Sequence, residues 1–293
     1  TALEANEVPD KVVDEASVGV AVEGTGDNVV AKKAELSVEG KVEALSIGHL
    51  LLQAFGAVSS ADNGDGTTTH TFTLANNSQH PAYTIFKYDP VQSYKFALAM
   101  LSSLEFNLQL GQYFQFTASL LSKSGAEATV TPSYSATQHN FLPQHATVKF
   151  ATNQAGLDGA SGVCTRVARL TVDKGIIPDH CLGNVEYSDI HNGIIQIGGT
   201  LELAMKTKDY RDWLVNDTAK ALRIEVADTG TVIGTGSANP KLQLDLHNVK
   251  IQSAPVSYES AELATVSIEF KGYYSVTDSQ LVTAKLTNTK ASY

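Results

Sequence analysis

Residues 94–125 read YKFALAMLSSLEFNLQLGQYFQFTASLLSKSG, and their apolar side chains recur at every second position. Phe96, Leu98 and Met100 share one phase, as do Leu104, Phe106, Leu108 and Leu110, and then Phe114, Phe116, Ala118 and Leu120. A period of two belongs to strands, so three consecutive strands with one buried and one wet face are expected. A second copy, PKLQLDLHNVKIQSAPVSYESAELATVSIEFKG, spans 240–272. There Leu242, Leu244 and Leu246, then Val249 and Ile251, then Val266, Ile268 and Phe270 repeat the apolar phase.

The repeat extends outward from these stretches. Strand-like SVEGKVEAL, 37–45, is paralleled by QIGGTLELA, 196–204. After the first copy Ser46 is positioned to cap a short helix, IGHLLLQAF, that Gly56 ends; after the second, Thr207 caps KDYRDWLVN with Tyr210, Trp213 and Leu214 inward. Strand, short helix, strand and meander occur twice, so the chain is read as an internal duplication. Its expected division is an N-terminal arm, 1–32, a first β domain, 33–155, and a second, 156–293.

The arm is acidic and rich in glycine, with Pro9, Gly19, Gly24 and Gly26, and is expected to be extended and partly mobile. Repeat arithmetic asks for a counterpart of the strand 163–175 near the chain start: either an irregular strand within Thr1–Ala16 or residues upstream of Thr1. Asp62-Asn63-Gly64-Asp65-Gly66 is dense turn chemistry between strand-like runs and predicts a projecting hairpin that the second copy lacks. A second turn is expected at 77–81, around Asn77, Ser78 and Pro81. GLDGASG, 156–162, reads as a flexible joint.

At 293 residues the chain is long enough to bury a sizeable core, and its formal charge of −10 argues against a nucleic-acid-binding surface. No apolar run approaches the ~20 residues of a membrane-spanning helix, and the start lacks the basic and apolar regions of a signal peptide. Cys164 and Cys181 are too few for a disulfide framework and are expected as reduced thiols. Residues suited to catalysis or metal binding are scattered. His180, Cys181, Asp189 and His191 form the one local group of potential metal ligands, with a spacing that fits no zinc pattern. The 62–66 turn lacks the distal Glu of a calcium loop, and no Gly-x-Ser-x-Gly elbow or phosphate cradle is present. No enzyme activity, metal or cofactor is expected.

Taken in order, VEGKVEALSIGHLLLQAFG, HTFTLANNSQHPAYTI, the 94–125 stretch, LGNVEYSDI, YRDWLVNDTAKALRIEV and VTAKLTNT resemble the major tail tube proteins of long-tailed, non-contractile bacteriophages. The resemblance implies a mainly β fold of two tandem tail-tube-type β-sandwich or barrel units, each with a short flanking helix. It further implies homotrimeric rings with pseudo-sixfold symmetry that stack into a DNA-conducting tube. The wet faces would line the lumen, with candidates Glu105, Asn107, Gln109, Gln115, Thr117 and Ser119 in the first unit and Gln243, Asp245, Thr265, Ser267 and Glu269 in the second. Asp62, Asn63, Gly64, Asp65 and Gly66, together with the arm, are the candidates for contacts between stacked rings.

The implied partners are other copies of the chain, a tape measure protein, a tail terminator, distal tail or baseplate proteins, and passing DNA without sequence-specific binding. The implied place is the virion tail, assembled in the host cytoplasm, with no membrane partner. The competing readings are a terminator or baseplate ring of related fold, and a β-sandwich surface-binding module.

Overall fold

The computed structural model describes residues 2–15, 24, 26–77, 79–135, 137–258 and 263–293. Gly19 of the expected arm and Ser78 of the expected turn lie outside them. Along the chain run β1 (Ala2–Asp14), β2 (Gly26–Lys41), α1 (Ile47–Phe55), β3 (Gly56–Asp62), β4 (Thr68–Leu74), β5 (Tyr83–Lys87), β6 (Tyr94–Gln109), β7 (Gln115–Ser122), β8 (Ala126–Glu127) and β9 (Ala146–Ala151). There follow β10 (Gly162–Val163), β11 (Thr165–Asp173), β12 (Ile177–Asp179), β13 (Asp189–His191), β14 (Gln196–Ala204), α2 (Asp209–Val215), β15 (Lys220–Ala227), β16 (Lys241–Ser253), β17 (Val256–Ser257), β18 (Thr265–Gly272) and β19 (Val282–Asn288). The protein is mainly β with two short helices.

The opening stretch forms two strands, not three. β6 runs unbroken through Ser102 and Ser103, where its register against β7 shifts. Those serines mark a β-bulge that bends the strand, not a turn. A second irregularity sits at Leu98, whose φ of 54° takes it out of the predicted phase so that Ala99 joins Phe96 in the core. Leu110 lies beyond the end of β6 and is exposed. In the second copy β16 is likewise one long strand that absorbs both expected segments.

The N-terminal part of β6 pairs with β5 and β8 and the rest with β7 and β11, while β16 passes from one packed sheet to the other. The larger has the order β1–β2–β7–β6–β11–β14–β18, completed by the C-terminal half of β16 and by β17. The other runs β3–β4–β19–β16–β15–β9, using the N-terminal half of β16. Between them Leu104, Phe106, Phe116, Leu170, Leu201 and Ile268 of the larger sheet meet Phe72, Leu222, Leu244 and Leu286 of the other in one apolar cluster. Helix α1 adds Ile47, Leu51, Ala54 and Phe55. Each large side chain fully buried there contributes ~1.5–3 kcal/mol.

The helix ends match expectation at Gly56 and depart from it at both N-termini, the N-cap of α2 being Lys208 with no side-chain cap. Gly56 closes α1 with φ of 85°, where its N–H reaches the Leu52 carbonyl. Thr207 accepts from the Asp209 N–H at 3.0 Å. Ser46, however, makes no side-chain cap; its own N–H donates to the Glu43 carboxylate at 2.9 Å.

The two copies interleave instead of standing apart. β9, from the end of the first copy, pairs with β15 of the second, and β19, from the end of the second, pairs with β4 of the first. The segment expected as a flexible joint is pinned down. Gln154–Leu157 forms a 3-10 turn, Leu157 is buried, and Asp158 accepts from Arg223 at 2.5 Å. At the other end of the first copy, the loop after β11 delivers Lys174, fully buried, to the C-terminus of α1, where its ammonium donates to the Gln53 carbonyl at 2.7 Å. Burial pulls the Lys174 pKa down to about 7.

Candidate functional site

The large sheet buries one face and turns the other to solvent. On β6 and β7, Glu105, Asn107, Gln109, Gln115, Thr117 and Ser119 all occupy the face opposite Leu104, Phe106, Phe116 and Ala118, because side chains alternate along each strand and residues paired across strands share a face. Thr265, Ser267 and Glu269 occupy the same face of β18, opposite Val266 and Ile268.

Gln243 and Asp245 do not. They lie in the half of β16 that belongs to the other sheet, and both are buried. Arg223 grips Asp245 through two hydrogen bonds of 2.6 and 2.8 Å, while Gln243 and Gln154 donate to the same carboxylate. The charge-assisted bonds to Asp245 and Asp158 raise the Arg223 pKa still further above its ordinary value. The turn 154–158 covers positions that alternation alone assigns to water.

Sequence alternation also missed much of the polar face. Glu4, Lys33, Glu35, Ser37 and Glu39 reach it from β1 and β2, Arg169, Thr171 and Asp173 from β11, Thr200 and Glu202 from β14, and Lys271 from β18. Arg169 lies between Asn107 and Thr200 on the flanking strands, with its Nε 3.4 Å from the Asn107 side chain. Among these residues carboxylates outnumber the cations Lys33, Arg169 and Lys271, so the face is mixed in charge with an acidic excess, not the cation-free surface the first candidates suggested.

The edges of this sheet differ from its interior strands. β11 is hydrogen-bonded on both sides, to β14 and to β6, and so joins the second copy to the first. Among the described residues β1 pairs with β2 alone. Beyond Lys250, the C-terminal half of β16 pairs with β18 on one side and with no strand on the other among the described residues.

Apart from Glu15 and Gly24, the described residues of the arm are strand. β1 and β2 pair from Ala2↔Glu39 to Asp14↔Gly26, while β2 meets β7 only from Ala34 to Lys41. Residues beyond that limit form a two-stranded ribbon that leaves the sheet. The second copy has a shorter counterpart in β12 and β13, which continue β11 and β14. A short signal betrays the match: Val8-Pro9-Asp10 on β1 and Ile177-Pro178-Asp179 on β12. Val8 faces Lys33 just as Ile177 faces His191. The counterpart of β11 near the chain start is therefore β1.

The remaining sequence candidates fall as follows. Asp62–Gly66 caps the β3–β4 hairpin, with the Asp62 and Asp65 carboxylates accepting the Gly64 and Thr67 N–H groups at 2.8 and 3.0 Å. The hairpin does not stand free. Asp65 O accepts from Thr235 N at 2.7 Å, and a Cβ on Gly234 would lie 2.3 Å from that oxygen. The tip lies at the Lys41 and Gln115 end of the molecule, opposite the ribbon, as the runs of β4 and β19 and the bond from Asn288 to Ala44 O require. His180 is occupied by the Asn184 carbonyl at 2.7 Å, and Asp189 by Gln79 at 3.0 Å. Among the described residues no group of three or more His, Cys, Asp or Glu side chains is placed to hold a metal ion.

A family model described as a phage tail tube protein matches residues 11–272. The chain belongs to the phage tail tube protein family. Membership makes it a structural component of the virion tail, in a family that self-assembles into a tube. No helix among the described residues is long and apolar enough to cross a membrane. No individual curated protein matches the chain.

Proposed function

We propose that three copies of this tail tube protein close a ring of pseudo-sixfold symmetry, and that rings stack into the tube through which DNA leaves a long-tailed, non-contractile phage. The observation that carries this reading is the β6–β11 seam. The first copy supplies β1, β2, β7 and β6 to the large sheet and the second β11, β14, β18 and β16, with β17 continuing the β16 edge, and the seam joins the last strand of the first set to the first of the second. β1 and the C-terminal half of β16 are the corresponding free edges. Placing β1 of a neighbour on β16 repeats the seam between chains, and closure leaves no open edge.

In this arrangement the polar face lines the lumen, with Glu105, Asn107, Gln115, Thr117, Ser267 and Glu269 among its residues. Phosphates meet carboxylates, amides and hydroxyls interspersed with single cations, so few counterions are released and DNA slides without being held. The Asp62–Gly66 tip lies at the end of the protomer opposite the ribbon, which suits it to contacts between successive rings.

The test is electron microscopy of the purified protein with mass measurement. Tubes of uniform width, or three-membered rings, are the expected result; a monodisperse monomer at high concentration overturns the proposal. Single rings that never stack point to a terminator instead.

A further inference from the structure

We propose that the β1–β2 ribbon does more than end the sheet: it clasps the adjacent protomer of the same ring, seating on that protomer's β16 end where the β12–β13 ribbon seats on the β6 end within one chain. The proposal rests on the ring reading and names the surface that holds the ring together.

The template is the contact already made inside the chain. The loop after β12 lies against the base of the first ribbon, where Lys32 N donates to Val185 O at 2.6 Å and Lys32 forms a parallel bridge with Glu186. Asp189 accepts from Gln79, and Lys174 N donates to Ser102 O at 2.9 Å. The second copy's ribbon thus reaches across the seam to the first copy. Advancing one position around the ring, the first copy's ribbon on a neighbouring protomer reaches across the next seam to the second copy.

Both halves of that unmade contact carry its marks. The ribbon exposes Val12, Val13, Val29 and Val30 at 56, 50, 39 and 46%, an apolar two-stranded edge that solvent-facing strands normally avoid. At the receiving end Ile194 and Tyr274 are exposed, and His191 Nδ1 and Asn192 Oδ1 are buried with no hydrogen-bond partner. Buried polar atoms are nearly always paired, and a ribbon backbone arriving there supplies both donors and acceptors. The occupant is accordingly a second copy of this chain.

The repeat also fixes where the strands meet. Since Lys33 and His191 are equivalent, the image of the Lys32–Glu186 bridge sets the neighbour's Asp27–Asn28 beside Ile190–His191. In a Cys164→Ser, Cys181→Ser background, Asp27→Cys with His191→Cys is assembled, treated with a short bismaleimide and run on a denaturing gel. A short linker tolerates a one-residue error in register. Lys32→Cys with Glu186→Cys serves as a control that cross-links within one chain. The expected result is a ladder that stops at the trimer for the first pair and monomer alone for the control.

A ladder running past the trimer means the ribbon reaches another ring and overturns the clasp. So does absence of cross-linking in a preparation whose micrographs show rings or tubes. If the same background protein forms neither, the ring reading itself falls and the clasp with it.

Discussion

The seam between β6 and β11 and the two open edges of the same sheet are made of equivalent strands in different circumstances. β11 is flanked on both sides and contributes Ala168, Leu170 and Val172 to the core. β1, its counterpart, has one neighbour among the described residues, with Leu3 and Ala5 partly buried against the core. In this pair, core burial goes with the doubly flanked position and exposure with the edge. A strand becomes part of the core when a second neighbour arrives.

The largest expected effect tests that contrast directly. Leu170→Pro removes ladder bonds on a doubly flanked strand and empties a core position, and should cost more than about 5 kcal/mol and unfold the chain in thermal melts. Val12→Pro on the singly paired ribbon should leave the melting of the isolated protomer nearly unchanged; an equal loss there would break the comparison.

Next is the linker that brings β11 to its seam. Arg223→Met strands the Asp245 carboxylate in a dry site and is expected to cost about 3–5 kcal/mol by denaturant titration, with Asp245→Leu added to it recovering much of the loss. An unchanged midpoint in the single variant would show that water replaces the guanidinium.

Lys174 gives a smaller, pH-dependent signature. Its folded pKa of about 7 lies below the value for an unfolded lysine, so between about pH 7 and pH 10 the unfolded chain binds the extra proton. Stability from this group therefore rises with pH across that window, by up to roughly 1.4 kcal/mol per pH unit, and is flat below it. Lys174→Met should flatten that rise in a pH series of melts; an identical slope would show that the amine reaches solvent when folded. Smallest is the exposed pair of Lys11 and Asp27 on the ribbon, 2.8 Å apart. Asp27→Asn should change stability by less than ~1 kcal/mol and lose even that in high salt.

Much of the sheet was legible because a half-buried strand writes its environment into its sequence. Phe106 against Glu105, or Ile268 against Glu269, leaves little doubt of facing. The alternation failed where that premise failed. Gln243 and Asp245 alternate as wet positions do, yet a turn from residues far away in the chain covers them, and no local pattern announces the cover. The ribbon failed for the opposite reason: largely exposed on both faces, it shows no hydrophobic period, and only the repeated Val-Pro-Asp and Ile-Pro-Asp carry its register. Ser102-Ser103 looked like a turn because bulges and turns draw on the same small polar residues.

One feature of the long strands bears on mechanics. β6 and β16 each pass through a bend, and β16 is hydrogen-bonded within the large sheet at one end and the smaller sheet at the other. Force along β16 is carried by ladders in both sheets at once, and shearing one sheet over the other means breaking a covalent chain or unzipping two ladders together. In the proposed tube, pressure applied on the polar face would be borne by both sheets of the protomer together.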